Sequence, residues 1–385
     1  MRHTKFGSAG AARALVAFAA VCIPGGPTAG LAAIENAQSR PVNYTRGATL
    51  SLVAQFADRQ VTGIAVAPDG RIFVNLPRWT VDVPVSVAQL VHGSLQPYPD
   101  AEWNAWRNSK PLAPQNHFVC VQSVVVDPSG RLLWVLDPGS PAMSGPVKGA
   151  PKLVAIDLAS NRIVRTIAFD ARSAPPGSYL NDVRFTPDSK FAFMSDSGVR
   201  GAIVVADLST GRSRRVLDGD PSTQFDPAVT VTIDGKPLVR PDGRSLQSGA
   251  DGIAVSPDGR TFYWQALDGD TLYSIPSAVL ESETAARSAA ASIRTVAKTQ
   301  PADGLWIDAN DDLFVTDPTR NQVEIGSIGG PFSTLVTDPR LRWPDSFAQA
   351  GDGTIFFTTS HIQDSPWFHP EVTATPSEIW KIEPL

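Results

Sequence analysis

The chain has 385 residues, of which 42% are hydrophobic and 18% charged, with 33 prolines and 30 glycines. That is enough for one large or two ordinary domains, and the wealth of turn formers suits many short strands rather than long helices. The formal charge of −5 argues against nucleic-acid phosphates and anionic membranes as principal partners.

The N-terminus reads as a secretory signal. Arg2, His3, Lys5 and Arg13 accompany an apolar run at residues 14–23 (ALVAFAAVCI) that is too short to span a bilayer, and Leu31-Ala32-Ala33 offers a cleavage site. The expectation is a signal peptide over residues 1–33 and a secreted or periplasmic chain from residue 34 to residue 385, free of the membrane. The alternatives are an uncleaved anchor and a misread start. Cys22 invites lipidation, but Val21 is bulky where a small residue is expected. Losing Arg2, Lys5 and Arg13 leaves 30 basic against 38 acidic residues. It also leaves Cys120 alone in an apolar run, a buried structural thiol rather than a nucleophile, with no intramolecular disulfide to form.

Six segments then align on a turn. They begin at Thr62 (TGIAVAPDGRIFVNL), Gln122 (QSVVVDPSGRLLWVL), Asn181 (NDVRFTPDSKFAFMS), Asp251 (DGIAVSPDGRTFYWQ), Asp303 (DGLWIDANDDLFVTD) and Asp345 (DSFAQAGDGTIFFTT). Eight residues after each start stand Gly70, Gly130, Ser189, Gly259, Asp311 and Gly353. The turns use Pro, Asp, Asn and Gly, and the flanking runs are rich in Val, Ile, Phe and Trp, as for strands buried on both faces. Further strands follow at residues 152–157, 162–169, 202–207, 213–217 and 272–275. About four strands per repeat and six repeats predict an all-β, six-bladed β-propeller in one domain. Residues 49–56 (TLSLVAQF) stand ahead of the first repeat. They are expected to join residues 378–382 (EIWKI) in the last blade and so tie the chain's ends together. Residues 99–108 and 277–292 read as short helical insertions. Residues 225–249 read as a polar excursion, and residues 363–376 as a loop carrying Trp367 and His369.

Each repeat's first residue starts an innermost strand, so Thr62, Gln122, Asn181, Asp251, Asp303 and Asp345 are expected to ring one mouth of the central channel. Taken singly, an Asp before Gly is a strand start whose side chain bonds nearby backbone. Six oxygen-bearing side chains in one register point instead to a metal or polar-ligand site. Converging carboxylates repel unless a cation sits among them, and a hard ion, Ca²⁺ before Mg²⁺, takes such donors. Zn²⁺ is disfavoured because no His or Cys falls on the ring. Asn181, Asp251, Asp303 and Asp345 are the candidate ligands. Gln122, Thr62 and His361, which follows the last inner hairpin, are candidates for contact with a bound molecule. Asp137, Asp196 and Asp317, at the far end of the following strand, read as turn formers. The loop tryptophans Trp103, Trp106, Trp343 and Trp367 are candidate pocket walls.

YLNDVRFTPDSKFAFMSDSG from Tyr179, LLWVLDPG from Leu132 and DGIAVSPDGRTFYWQALDGDTLYSIPSAVL from Asp251 resemble the major royal jelly protein/yellow family, from about Val61 to the C-terminus. The resemblance implies a secreted six-bladed propeller; insect members are linked to pigment chemistry, amine binding and nutrition. That family shares no single catalytic set, so no catalytic residue carries over. A broader similarity is to gluconolactonase-like propellers, which hydrolyse lactones around a divalent cation. Asn181-Asp182 and Asp303-Gly304 are similar to that group's metal motifs, and Asp251 stands where an Asn-Gly is frequent. Thr62 departs from the Glu expected there, and Asp345 could restore the carboxylate.

Two functional classes stay open. In one, a cation on the ring assists lactone hydrolysis, with Asp251 or Asp303 as general base. In the other, a monomeric propeller captures a small molecule without chemistry or serves as a structural or interaction module.

Overall fold

A computed structural model of the protein describes residue 44, residues 48–80 and residues 83–384. The expected signal at residues 1–33 lies outside the described residues. Six four-stranded antiparallel sheets are arranged as the blades of a propeller. Blade one comprises Ile64–Val66, Ile72–Asn75, Val87–Val91 and Ser94–Pro97, and blade two Ser123–Val126, Leu132–Asp137, Lys152–Asp157 and Arg162–Ala168. Blade three is Leu180–Phe185, Phe191–Asp196, Ala202–Asp207 and Ser213–Val216, and blade four Ala250–Val255, Thr261–Ala266, Thr271–Pro276 and Arg294–Lys298. Blade five is Leu305–Ile307, Asp312–Asp317, Gln322–Ser327 and Ser333–Thr337. Each blade's first strand touches the first strand of the next, and blade six returns to blade one.

Blade six closes the ring as the sequence implies. Its order is Pro344–Gln349, Ile355–Thr359, Ser377–Ile382 and then Leu50–Phe56 from the other end of the chain. Leu50 lies opposite Ile382 and Phe56 opposite Ser377. The Val61 N–H donates to Ser377 Oγ at 3.1 Å across 316 residues. Pairing this edge covers a row of backbone donors and acceptors that would otherwise template aggregation.

The repeat's turn has one conformation throughout. Gly70, Gly130, Ser189, Gly259, Asp311 and Gly353 all have positive φ, between 54° and 90°. Each donates its N–H to the carbonyl three residues back, from Gly70 to Ala67 at 2.9 Å through Gly353 to Ala350 at 2.9 Å. Glycine adopts this left-handed state without cost. Ser189 and Asp311 reach it in turns where Asp188 and Asp308 each accept backbone N–H groups.

The core lies between blades. Phe193, Ile203 and Val205 of blade three pack on Ile253, Phe262 and Trp264 of blade four, and Trp134 and Leu153 of blade two pack on Val183 and Met194 of blade three. Burying one such side chain stabilises by roughly 1.5–3 kcal/mol, so each blade's faces are held mainly by its neighbours.

Two insertions differ from each other. Ser277–Glu281 is α-helical and Ala285–Ser292 is 3-10 helical, as expected of that stretch. Residues 99–108 form turns, not a helix. Asn104 explains the difference: its Oδ1 accepts from the Ser86 and Val87 N–H groups, and its Nδ2 donates to the Tyr98 and Asp100 carbonyls. These side-chain bonds offer the backbone an alternative to helix.

Candidate functional site

The six register-matched residues stand together at one end of the channel, and all are buried. Backbone joints between blades hold them there. The Asn75 side chain donates to Thr62 Oγ1 at 2.8 Å and to the Gln122 carbonyl at 3.0 Å. The Ser195 hydroxyl donates to the Asp251 carbonyl at 2.6 Å, and Thr358 Oγ1 to the Thr62 carbonyl at 2.5 Å. In blades four and five the residue after the ring position must be glycine. A Cβ on Gly252 would lie 2.4 Å from the Asp303 carbonyl, and one on Gly304 would lie 1.9 Å from the Asp345 carbonyl.

The ring has two unlike halves. Thr62 and Gln122 are neutral and satisfied, with Gln122 Oε1 accepting from the Tyr179 hydroxyl at 2.8 Å and that hydroxyl accepting from Trp79 Nε1 at 2.7 Å. The other half is an acidic arc. Asn181 Nδ2 donates to Asp251 Oδ1 at 2.8 Å, and the Ser248 hydroxyl donates to Asp251 Oδ2 at 3.1 Å. Asp303 lies close enough to Asp251 for its charge to oppose ionisation there. Asp303 Oδ2 accepts from Trp343 Nε1 at 2.6 Å. The Ser346 hydroxyl donates to Asp345 Oδ1 at 3.0 Å. Asp345 Oδ2 and the Ser360 hydroxyl beside it are buried without a bond of good geometry.

Burial and mutual repulsion push these acids toward the neutral form. Asp251 is held well above the carboxylate range by burial first, then by the charges of Asp303, Asp182 and Asp345. Burial and the Asp303 charge do the same to Asp345. Asp303 is pushed up to about 7, chiefly by burial, with the Trp343 bond opposing the shift. Near neutral pH the arc therefore exchanges a proton readily.

Asp182 enters the sequence analysis only beside Asn181 in a metal-motif resemblance, and Arg184 does not enter it. Asp182 occupies the position that is glycine in blades one, four and five, and it accepts from the Ser123 hydroxyl at 3.3 Å. Arg184 Nη2 lies 3.3 Å from Asp182 Oδ2 and donates to the Leu305 carbonyl of blade five at 3.1 Å. It thus reaches past blade four, whose register position is Ala254. Its guanidinium lies 5.9 Å from the Trp306 ring. In this register Ala65, Val125, Ala254 and Ala348 contrast with Arg184 and Trp306, an asymmetry that signals a spanning side chain.

An apolar cap covers the ring. Trp79, Cys120, Tyr179, Trp343, Ile362 and Phe368 cluster with Val231, Leu238 and Leu246 of the excursion, and Trp367 packs against them. Burial raises the Cys120 thiol to about 12. Of the four tryptophans expected as walls, Trp343 and Trp367 stand here. Trp103 packs on Phe118, and Trp106 on Val119 and Ala150, in two other clusters.

His361 contacts other groups. Its Nε2 lies 2.9 Å from Glu378 Oε2 and its Nδ1 3.3 Å from Asp364 Oδ2. Burial lowers its affinity for a proton, but the two carboxylates together outweigh this, and its pKa is raised. Asp137 and Asp196 are structural. Asp137 accepts from the Val119, Cys120 and Gly139 N–H groups and from Lys152 Nζ at 2.7 Å. Asp196 accepts from the Tyr179 and Gly198 N–H groups. Both fasten the stretch just ahead of a ring residue. Asp317 instead binds Thr319, Arg320 and Gln322 within its own blade. Among the described residues, no three His, Cys, Asp or Glu side chains come together as a group able to hold a metal ion.

Comparison with known proteins adds a family. Residues 119–335 match the model for the major royal jelly protein family. No curated protein matches the chain in sequence. Among solved structures, the chain is similar to a gluconolactonase from Xanthomonas campestris, with 12% identity over 90% of this chain and 95% of that one, TM-score 0.55. A luciferin-regenerating enzyme aligns at 10% identity over 88% and 95%, TM-score 0.52. A streptogramin B lyase aligns at 12% identity over 88% and 98%, TM-score 0.50. At such identities the likeness is one of fold.

Proposed function

The chain belongs to the major royal jelly protein family, and from that premise we propose that it binds a small molecule against the acidic arc beneath the apolar cap. The observation that carries this reading is the arc itself. Asp251, Asp303 and Asp345 stand on neighbouring blades four to six, and the Asp303 charge disfavours ionisation of both Asp251 and Asp345. A ligand bearing a positive charge or several N–H or O–H donors would offset the repulsion among these acids with directed bonds, at a gain of about 1.5–3 kcal/mol for each hydrogen bond to a charged group. Trp79, Tyr179, Trp343 and Phe368 supply an apolar wall beside those acids, the combination that small-molecule sites favour. Gln122 and Thr62 stand on the neutral side of the ring.

The test is a thermal-shift panel of small primary amines, each paired with its uncharged isostere, on wild type and on Asp303→Asn. Stabilisation by an amine but not by its isostere, reduced in the variant, is the expected result. If no charged member of the panel acts differently from its isostere, the arc is not a cation site.

A second reading is favoured by the shared fold with a gluconolactonase and by Asn181 lying on the same arc. A divalent cation, Ca²⁺ first, would draw on Asn181, Asp251, Asp303 and Asp345 and would polarise a lactone carbonyl. These side chains would have to turn toward a common point to do so. Elemental analysis of the purified protein, with its melting temperature read with and without chelator, separates this reading from the first. One equivalent of metal together with a chelator-sensitive melting temperature would favour it. We further propose that the chain is exported and acts as a monomer. N-terminal sequencing of the secreted product and its sedimentation would test both points.

A further inference from the structure

We propose that residues 226–248 form a hinged flap over the acidic arc, fastened shut by Arg342 on Asp234, and that its opening admits a small molecule; the inference takes its purpose from the ligand reading above.

The hinge is Asp268. Its carbonyl accepts from the Asp226 N–H at 3.1 Å, and its carboxylate accepts from the Gln247 and Ser248 N–H groups, each at 2.8 Å. Both ends of the excursion are thus stapled to one residue. Gln247 has φ 60°, the left-handed turn of the chain at the returning end. Between the staples the segment is folded on itself. Thr232–Ile233 pairs with Lys236–Pro237, and the Leu238 N–H donates to the Val231 carbonyl at 2.8 Å. Its inner side contributes Val231, Leu238 and Leu246 to the cap over the ring.

The catch is at the far tip. Arg342 grips Asp234 with two hydrogen bonds, Nη1 to Oδ1 at 2.8 Å and Nη2 to Oδ2 at 2.9 Å. Among the described residues, this fork is the one hydrogen-bonded link from residues 230–246 to the chain outside the flap. A bidentate guanidinium–carboxylate contact is directional and breaks as a unit. Asp234 is 63% exposed, so water competes for the fork and opening it is not prohibitive. Arg342 adjoins Trp343, whose indole bonds Asp303, and Ser248 at the hinge bonds Asp251. The two fastenings of the flap therefore each sit one residue or one bond from the arc.

Cys120 reports on this motion without any ligand. It lies fully buried in the cap cluster, and burial keeps its thiol protonated, so a disulfide reagent reacts only when the cap lifts. The experiment measures the labelling rate in a full-length Cys22→Ser background. Asp234→Ala and Arg342→Lys are expected to label about threefold to tenfold faster than the parent, with melting temperatures unchanged. The charge-reversed pair Asp234→Arg/Arg342→Asp should return the rate toward the parent's. Asp170→Ala, which breaks an exposed ion pair with Arg172 in the loop between blades two and three, should not alter it. Parental rates in both single variants, or equal acceleration by Asp170→Ala, would overturn the flap. Since no ligand is used, failure of the ligand reading would leave this result standing, and the converse also holds.

Discussion

Trp343 donates its indole N–H to Asp303 Oδ2 at 2.6 Å from a left-handed backbone, φ 58°. A bulky side chain rarely adopts that conformation, which costs of order 1–3 kcal/mol and persists only when its surroundings impose it. They do so here. The Ser360 N–H donates to the Trp343 carbonyl at 3.0 Å and the His361 N–H to the Arg342 carbonyl at 3.3 Å, with His361 itself at φ 51°. Two strained residues side by side aim one indole at one carboxyl.

Trp343→Phe keeps the ring and removes the donor. The ionised form of Asp303 then loses a partner, so its pKa should climb above about 7, and the protein should lose about 1–2 kcal/mol. Carboxyl NMR titration reads the first effect and chemical denaturation the second. A pKa that falls or stays put would show that the bond does not hold the charge.

Stability should fall as pH rises through neutrality, because of Asp303. Its folded pKa of about 7 lies above the ordinary 3.8, so the folded state holds the proton more tightly. The contribution is complete below about pH 4 and is lost as pH climbs through about 7. Asp303→Asn mimics the protonated carboxyl at every pH. Relative to that variant, wild type should lose on the order of a few kcal/mol between pH 4 and pH 9. Denaturation midpoints of the two proteins across that range should diverge on the alkaline side; parallel curves would mean that Asp303 is not held neutral.

Gly304→Ala should be among the costliest single methyl additions available to this chain. The new carbon would sit 1.9 Å from the Asp345 carbonyl oxygen, which is backbone and cannot swing aside. Blades five and six must part at the ring, at a cost of about 1–3 kcal/mol or more. Gly351→Ala has no atom within 4 Å of its added carbon and should change stability little. Equal melting temperatures for the two variants would refute the close approach.

Lys152→Met strands a buried carboxylate. Lys152 and Asp137 lie 2.7 Å apart and are almost fully buried, and loss of one partner from such a pair costs about 3–5 kcal/mol. The double variant Lys152→Met/Asp137→Asn should recover part of that loss, since no charge is then left unpaired. A double-mutant cycle by denaturation measures the coupling.

The propeller was legible because its repeat is local. A ring residue, a short strand, a turn residue at positive φ and a second strand lie within one window, and six windows in register imply a closed ring. The same register brought Thr62, Gln122, Asn181, Asp251, Asp303 and Asp345 to one end of the channel. The unevenness of that ring was not legible. The Asp251–Asp303 contact depends on neighbours 52 residues apart in the repeat, and Trp343 reaches Asp303 only through a strained backbone that no propensity predicts. Arg184 was legible in principle, since it is the one charged residue in a register otherwise filled by Ala, Val and Trp. The cap escaped notice because the excursion reads as polar, yet three of its apolar side chains point inward.

The strand Leu50–Phe56 sets an order of events for the polypeptide. Blade six lacks its outermost strand until Ser377–Ile382, which follows all five other blades in the chain, can meet it. Five blades can accumulate their internal pairings as they emerge, but the circle stays open until Ser377–Ile382 has been made. A chain threaded through a narrow pore would thus remain unlocked until Ser377–Ile382 has followed Leu50–Phe56 across, and would fasten only where both strands have arrived.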